Sequence, residues 1–302
     1  MTLGQLLEAG AERLSQKQIA EAELDARYLL LAVTGISPAM FLIKRGQQAD
    51  TETEQRFFEL IRQREARIPL QYILGTQEFM GLEFLVSPDV LIPRQDTETL
   101  VERVLEDEKR FRADGKEGAE RSLLDMCTGS GCIGLSLAIL GDFKNVMAAD
   151  ISPKALAVAR KNAERLLAEA VRKEVKPDVQ FVESDLFEQI PKDSRFDVIV
   201  SNPPYIPSRV IEELEPEVKD HEPRLALDGT EDGLAFYRRL VSECGAFLNP
   251  GGRIYFEIGY DQGAAVKELL ETAGFIETEI IKDIPGQDRV AAARWPQEVS
   301  NV

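Results

Sequence analysis

Two short stretches hold residue types that can do chemistry. The first, "VIVSNPPYIPS" (198–208), ends an apolar run on Asn202, Pro203, Pro204 and Tyr205. Proline has no N–H and resists the interior of a sheet, so residues 198–201 read as a buried strand that must stop at Asn202. Asn202 Oδ1 is an acceptor, and the Pro203 carbonyl, kept out of a ladder by the kinked chain, is another. Two neutral acceptors side by side suit a substrate carrying an NH2 group. An amide nitrogen is a poor nucleophile because its lone pair is delocalised into the carbonyl. Accepting from both of its hydrogens localises density on nitrogen and fixes its direction, so attack on a bound electrophile needs orientation more than a base. Tyr205 adds an aromatic face against which a planar group can lie.

The second stretch, "LLDMCTGSGCIGLSLAIL" (123–140), places Gly129, Gly131 and Gly134 between a strand and a helix in a G-x-G-x-x-G pattern. Backbone without Cβ approaches a ligand closely, and the N-terminus of the following helix favours an anionic group. Asp150 closes the next strand, 19 residues after Gly131, where it can accept from both hydroxyls of a ribose. The combination predicts an adenosine-bearing cofactor. A dinucleotide and S-adenosylmethionine (SAM) both offer that ribose, so the loop alone leaves them open. Asp185 ends the third strand, where its carboxylate can accept from an adenine amino group or simply cap a loop.

Composition narrows the classes. The chain has 302 residues, room for about two domains, with 44% hydrophobic and 29% charged residues, as in ordinary globular proteins. No stretch approaches the roughly 18–20 apolar residues of a membrane span, and the N-terminus lacks a basic region followed by an apolar core. A cytoplasmic monomer without membrane contact is expected. Cys127, Cys132 and Cys244 form no C-x-x-C pair and His221 is the only histidine, so no metal site is expected. A net charge of −17 disfavours direct DNA binding, which rests on Lys and Arg neutralising phosphates.

The elements that must position these residues follow from periodicity. Thr2 with Gln5 opens a helix, Gly35 stops a second, Ser37-Pro38 starts a third, and Phe57, Leu60, Ile61 and Arg64 mark a fourth. Residues 1–66 therefore read as a helical domain, and 67–95, broken by Gly75, Gly81 and Pro88, as a β-hairpin linker. From 96 onward a helix capped by Asp96 is expected to dissolve into a solvated loop at "EDEKRFRADGKEGAER" (106–121). Then "LLDM", "VMAAD", "VQFVE", "FDVIVS" and "RIYFEIG" alternate with helical segments such as 153–170, 233–247 and 261–273. This predicts an α/β, doubly wound parallel sheet over 96–302, with "IETEIIKD" and "RVAAAR" as its antiparallel end.

Taken together, "RIPLQYILG" (67–75), "VLIPRQDTETLVE" (90–102), "VSNPPYIP" (200–207), "DHEPRLALDGTEDGL" (220–234) and "DIPGQDRV" (283–290) resemble the release-factor glutamine methyltransferases, the HemK family. The resemblance implies a SAM-dependent enzyme that methylates N5 of the glutamine in a release factor's Gly-Gly-Gln motif. It implies that the helical domain helps hold that protein. It assigns Asn202, Pro203, Pro204 and Tyr205 to the substrate glutamine. To SAM it assigns Cys127, Thr128, Gly129, Ser130, Gly131, Asp150 and Ile151, with Asn202 alongside, and it puts Asp185 and Leu186 beside the adenine. Two positions depart from the family pattern: Cys127 stands where the loop commonly has its first glycine, and Gln95-Asp96-Thr97 stands where many relatives read Pro-Glu-Thr. His221 and Arg224 are expected to brace a loop rather than catalyse.

Other readings share parts of this pattern. A methyltransferase for a ribosomal-protein glutamine fits as many motifs. A DNA adenine methyltransferase shares Asn-Pro-Pro-Tyr but needs a basic recognition surface. A nicotinamide dehydrogenase accounts for the glycine loop but not for the two prolines after Asn202, and a non-catalytic binding module would need the Asn-Pro-Pro-Tyr loop to be ornamental.

Overall fold

Side chains at the helix ends explain the N-terminal unit of the computed structural model, which describes residues 1–113, 120–141, 143–171 and 177–297. That unit comprises residues 1–76 together with 215–221. Thr2 and Gln5 form a capping box on Leu3–Gln16, and Gly35, at φ 65°, ends Ala22–Thr34. Ser37 caps Pro38–Lys44 and Asp50 caps Thr51–Glu65, each accepting a backbone N–H with its side-chain oxygen. Leu70–Leu74 adds a short fifth helix inside the stretch expected to be hairpin. Leu6, Leu14, Leu29, Leu30, Phe57 and Ile61 fill the core of the unit. Buried Arg64 joins Asp25 at 2.7 Å and Glu217 at 2.8 Å, which ties 215–221 to these helices. His221 Nε2 lies 3.3 Å from the Ala66 carbonyl, a bracing contact.

The second unit begins with a two-stranded hairpin, β1 (Thr76–Phe79) and β2 (Leu82–Leu85). Met80 and Gly81 both have positive φ, the backbone a tight two-residue hairpin requires. Phe79 and Phe84 meet edge to face, 6.1 Å apart, and are buried among core side chains of the larger sheet.

That sheet contains β3 (Ser122–Met126), β4 (Asn145–Asp150), β5 (Asp178–Glu183), β6 (Phe196–Ser201), β7 (Leu248–Glu257), β8 (Ile276–Lys282) and β9 (Asp288–Arg294). The order is β5-β4-β3-β6-β7-β9-β8; the first five strands run parallel, and β9 is antiparallel to both β7 and β8. The expected α/β architecture with an antiparallel end is therefore present. Strand order reverses beside β3, because β4 pairs on one of its edges and β6 on the other. The crevice at the carboxyl ends of β3, β4 and β6 is where ligands bind in such sheets.

One expected element differs. The helix after the hairpin spans Gln95–Ala113, so Asp96 lies inside its first turn rather than capping it. Asp96 pairs with Arg289 at 3.1 Å instead. Nor does the charged run dissolve the helix as far as Ala113. Arg103 and Arg110 pair with Asp107 along it, the Tyr255 hydroxyl donates to Asp107 at 2.8 Å, and buried Glu108 pairs with Arg121 at 2.7 Å. Charge alone resembles a loop, whereas charges paired at i, i+4 stabilise a helix. Residues 114–119 of the expected loop lie outside the described residues.

Candidate active site

The first parallel strand delivers the chain into a loop with three left-handed residues, Cys127 (φ 61°), Gly129 (φ 55°) and Gly131 (φ 82°). The glycines adopt this freely, while Cys127 is strained by about 1–2 kcal/mol. A Cβ built on Gly129 would meet no protein atom within 4 Å and would stand in the open crevice. The loop is fixed from beneath: Thr128 N–H donates to the Ala149 carbonyl at 3.0 Å, and Gly131 N–H to the Thr128 carbonyl at 2.8 Å.

Asp125 decides what the following helix can bind. Its Oδ2 accepts the Thr128 hydroxyl at 2.6 Å and the Gly134 N–H at 2.9 Å, so a buried internal carboxylate occupies the N-terminus of Cys132–Leu140. Burial pushes this carboxyl up to about 7. In a dinucleotide fold that helix end receives the pyrophosphate. Here Asp125 takes the Gly134 N–H, so that donor is not open to a phosphate.

Asp150 stands across the crevice. Its Oδ2 accepts Gly129 N–H and its Oδ1 accepts Ser152 N–H, both at 2.9 Å. Burial raises its pKa, against the lowering effect of those backbone donors. Ser152 caps the next helix by accepting from Ala155 N–H at 3.2 Å. Beyond β5, Leu186 is buried with φ 50°, and Asp185 pairs with Arg239 at 2.8 Å.

The fourth parallel strand ends at Ser201, whose hydroxyl donates to the Met126 carbonyl at 2.8 Å. Asn202 Nδ2 then donates to Thr97 Oγ1 at 3.4 Å, and among the described residues no donor reaches Oδ1. Among the described residues no backbone donor reaches the Pro203 carbonyl. Tyr205 is clamped by Gln262 Nε2, which donates to its carbonyl at 3.0 Å. Gly233 packs so closely that a Cβ there would fall 2.4 Å from that carbonyl oxygen. The Tyr205 hydroxyl turns inward to Glu257 Oε1 at 3.3 Å. Arg224 pairs with Glu212 and Asp228 and braces the segment beyond.

These elements enclose a cavity of about 280 Å³. Cys127, Thr128, Gly129, Ser130, Asp150, Ile151, Asp185, Leu186, Asn202 and Pro204 line it. Gly131, Pro203 and Tyr205 are not part of its wall. The cavity also presents residues the sequence did not assign to the site: Arg94, Thr97, Cys132, Phe236 and Arg239. For Phe236 and Arg239 a signal exists, since they lie three apart on Ala235–Cys244 while Tyr237 and Leu240 of the same helix are buried in the core. Burial pushes the Cys132 thiol up to about 12 and raises Cys127 as well, so neither is ionised near neutral pH and neither is a ready nucleophile.

Known proteins bear on the same residues. Residues 5–75 match the family model for the PrmC N-terminal domain, and residues 100–214 match the methyltransferase small domain. A release factor glutamine methyltransferase of Geobacter sulfurreducens is 40% identical over 293 residues, covering 97% of this chain and 96% of the relative. Another, of Moorella thermoacetica, is 41% identical over 299 residues, covering 99% and 100%. The chain belongs to the release factor glutamine methyltransferases. A methyltransferase from Pyrococcus furiosus shares the fold at a TM-score of 0.50, with 19% identity over 78% of this chain and 98% of that one. Membership in this family makes the protein a methyl-donor enzyme, and the residues lining the cavity fit SAM. Asp150 and Asp185 offer acceptors for an adenosine, the Gly129 position leaves room for it, and Ile151 and Leu186 offer apolar contact.

Proposed function

We propose that the enzyme transfers a methyl group from SAM to N5 of the glutamine in the Gly-Gly-Gln motif of peptide chain release factors. The observation that carries this reading is Asn202 on the cavity wall, its Oδ1 without a partner among the described residues, followed by a Pro203 carbonyl that no described backbone donor reaches. Each accepts one hydrogen of the substrate amide, which draws electron density onto nitrogen and holds its lone pair in one direction. Pro204 walls the amide, and Tyr205, clamped by Gln262, gives the turn its rigidity. Bound SAM supplies a methyl group made electrophilic by its sulfonium. Asp150 accepts from the ribose hydroxyls, Asp185 shares its carboxylate between Arg239 and the adenine amino group, and Cys127, Thr128, Gly129, Ser130, Ile151 and Leu186 shape the pocket, with Gly131 turning the loop behind them.

The helical domain, residues 1–66, docks the release factor; residues 67–95 link it to the catalytic domain, 96–302. The net charge of −17 supports a protein substrate rather than direct DNA contact. Among the described residues no single helix is long and apolar enough to cross a membrane. We take the enzyme to act as a cytoplasmic monomer.

The test uses methyl-labelled SAM and a release factor carrying either Gln or Glu in its Gly-Gly-Gln motif. Label should enter the Gln form alone, because a carboxylate offers no hydrogen to two acceptors. Label in a ribosomal protein or in DNA, with none in the release factor, would assign the site to another substrate.

A further inference from the structure

Asn202 poses a question of polarity. The oxygen and nitrogen of a side-chain amide have nearly the same shape, so packing cannot choose which of them faces the substrate. Reversed, Asn202 would point Nδ2 at the substrate NH2, donor against donor. Something in the wall must fix the orientation.

We propose that Thr97 is the positioning residue that does so: its hydroxyl, backed by Glu257, accepts from Asn202 Nδ2 and thereby keeps Asn202 Oδ1 turned toward the substrate amide. The proposal rests on the reading of Asn202 as an acceptor for that amide. Thr97 lies in the first turn of Gln95–Ala113 and is 2% exposed, so water has little access to stand in for it. A hydroxyl has a single hydrogen to give. Glu257, 1% exposed at the end of β7, lies beside Thr97 and accepts from the Tyr205 hydroxyl through Oε1, while its buried Oε2 has no hydrogen-bond partner among the described residues. Above about pH 7, where Glu257 is ionised, its carboxylate only accepts, so it takes the Thr97 hydrogen and the lone pairs of Oγ1 are left for Asn202, 3.4 Å away. Glu257 is itself held, since its own carbonyl accepts the Tyr237 hydroxyl at 2.7 Å. The strand ends agree with this, as Ser201 pairs with Phe256 in the sheet and brings Asn202 and Glu257 out at the same level.

Steady-state kinetics on the full-length enzyme at about pH 8, where Glu257 is ionised, with SAM and a release factor, test the assignment. Thr97→Val keeps the shape and removes the acceptor. Its kcat should fall on the order of 10-fold or more. The KM for the release factor and the Kd for SAM by calorimetry should stay within about 3-fold, since the loss is one of orientation in the transition state. Thr97→Ser should bring kcat back to within a few-fold of the original enzyme. In an Asn202→Ala background Thr97→Val should cost nothing further, because Thr97 acts only through Asn202. Where Thr97→Val melts early, Thr97→Ala carries the same comparison without a β-branch to accommodate. If Asn202→Ala lowers kcat and Thr97→Val does not, or if the two losses multiply, the positioning role is wrong. If Asn202→Ala itself leaves kcat unchanged, the acceptor reading of Asn202 fails and this proposal fails with it.

Discussion

One carboxylate oxygen of Asp150 accepts the Gly129 N–H at 2.9 Å, joining the end of β4 to the loop that follows β3. Asp150 is therefore both a proposed ribose acceptor and the fastener of the glycine loop. Asp150→Ala should weaken SAM binding by roughly 1.5–3 kcal/mol, about 10- to 150-fold in Kd, measured by calorimetry. It should also lower the thermal midpoint, since it strands the Gly129 and Ser152 N–H groups. SAM affinity left intact would move the ribose contact elsewhere.

Cys127 holds a backbone conformation that glycine adopts without strain, φ 61°. Its side chain packs against the core cluster that contains Met126 and Tyr237, which partly offsets that strain. Cys127→Gly should stay within about 1 kcal/mol of the parent, the relieved strain set against lost packing and a more flexible unfolded chain. Cys127→Val, β-branched and in the same conformation, should cost about 1–3 kcal/mol more. Urea denaturation of the two variants gives the comparison. Equal stabilities would mean that strain at this position is negligible.

The parallel sheet and the loop at its mouth were legible because each strand is a short apolar run with turn residues at its ends, and strand ends fix where a site lies. The Asn-Pro-Pro-Tyr turn was legible because two missing donors can have few structural reasons. The orientation of Asn202 was not, since it depends on Thr97, 105 positions earlier, and on Glu257, 55 positions later. No local pattern links such residues. The helix through the charged run was misread for a related reason: sequence shows the sign and spacing of Asp107 and Glu108, but not that Tyr255 and Arg121 come to meet them.

Truncation from the N-terminus should separate docking from catalysis, provided the cut respects the hairpin. Phe79 and Phe84 are 1% and 0% exposed in the core beside the large sheet, and Leu85 N–H donates to Asn162 Oδ1 at 2.7 Å. A chain starting at residue 77 should retain SAM binding, whereas one starting at residue 96 should lose it by unfolding, since two buried Phe side chains contribute about 3–5 kcal/mol each. With the 77 start, turnover on an intact release factor should fall further than turnover on a Gly-Gly-Gln peptide. Equal losses on both substrates would end the docking role.

Glu257 gives a prediction whose sign can be worked out. Burial pushes its carboxyl from 4.5 up to about 7, against the lowering effects of Thr97, Arg289 and the Tyr205 hydroxyl, while the charge of Asp96 raises it a little further. Between about pH 4.5 and 7 the folded state keeps a proton that the unfolded chain has released. Stability contributed at this site therefore declines as pH rises through that window and levels off above it. The wild-type curve also contains contributions of opposite sign from carboxyls held low, such as Asp228 beside Ser208 and Glu277 beside Arg294. The difference between variants is the readable quantity. Glu257→Gln is neutral at every pH, so relative to the parent it should gain stability on going from pH 5 to pH 8. The full span of the shift corresponds to roughly 3 kcal/mol, and a gain of even half that is measurable in urea midpoints. A stability difference that stays constant across the range would mean that Glu257 ionises as an ordinary carboxylate.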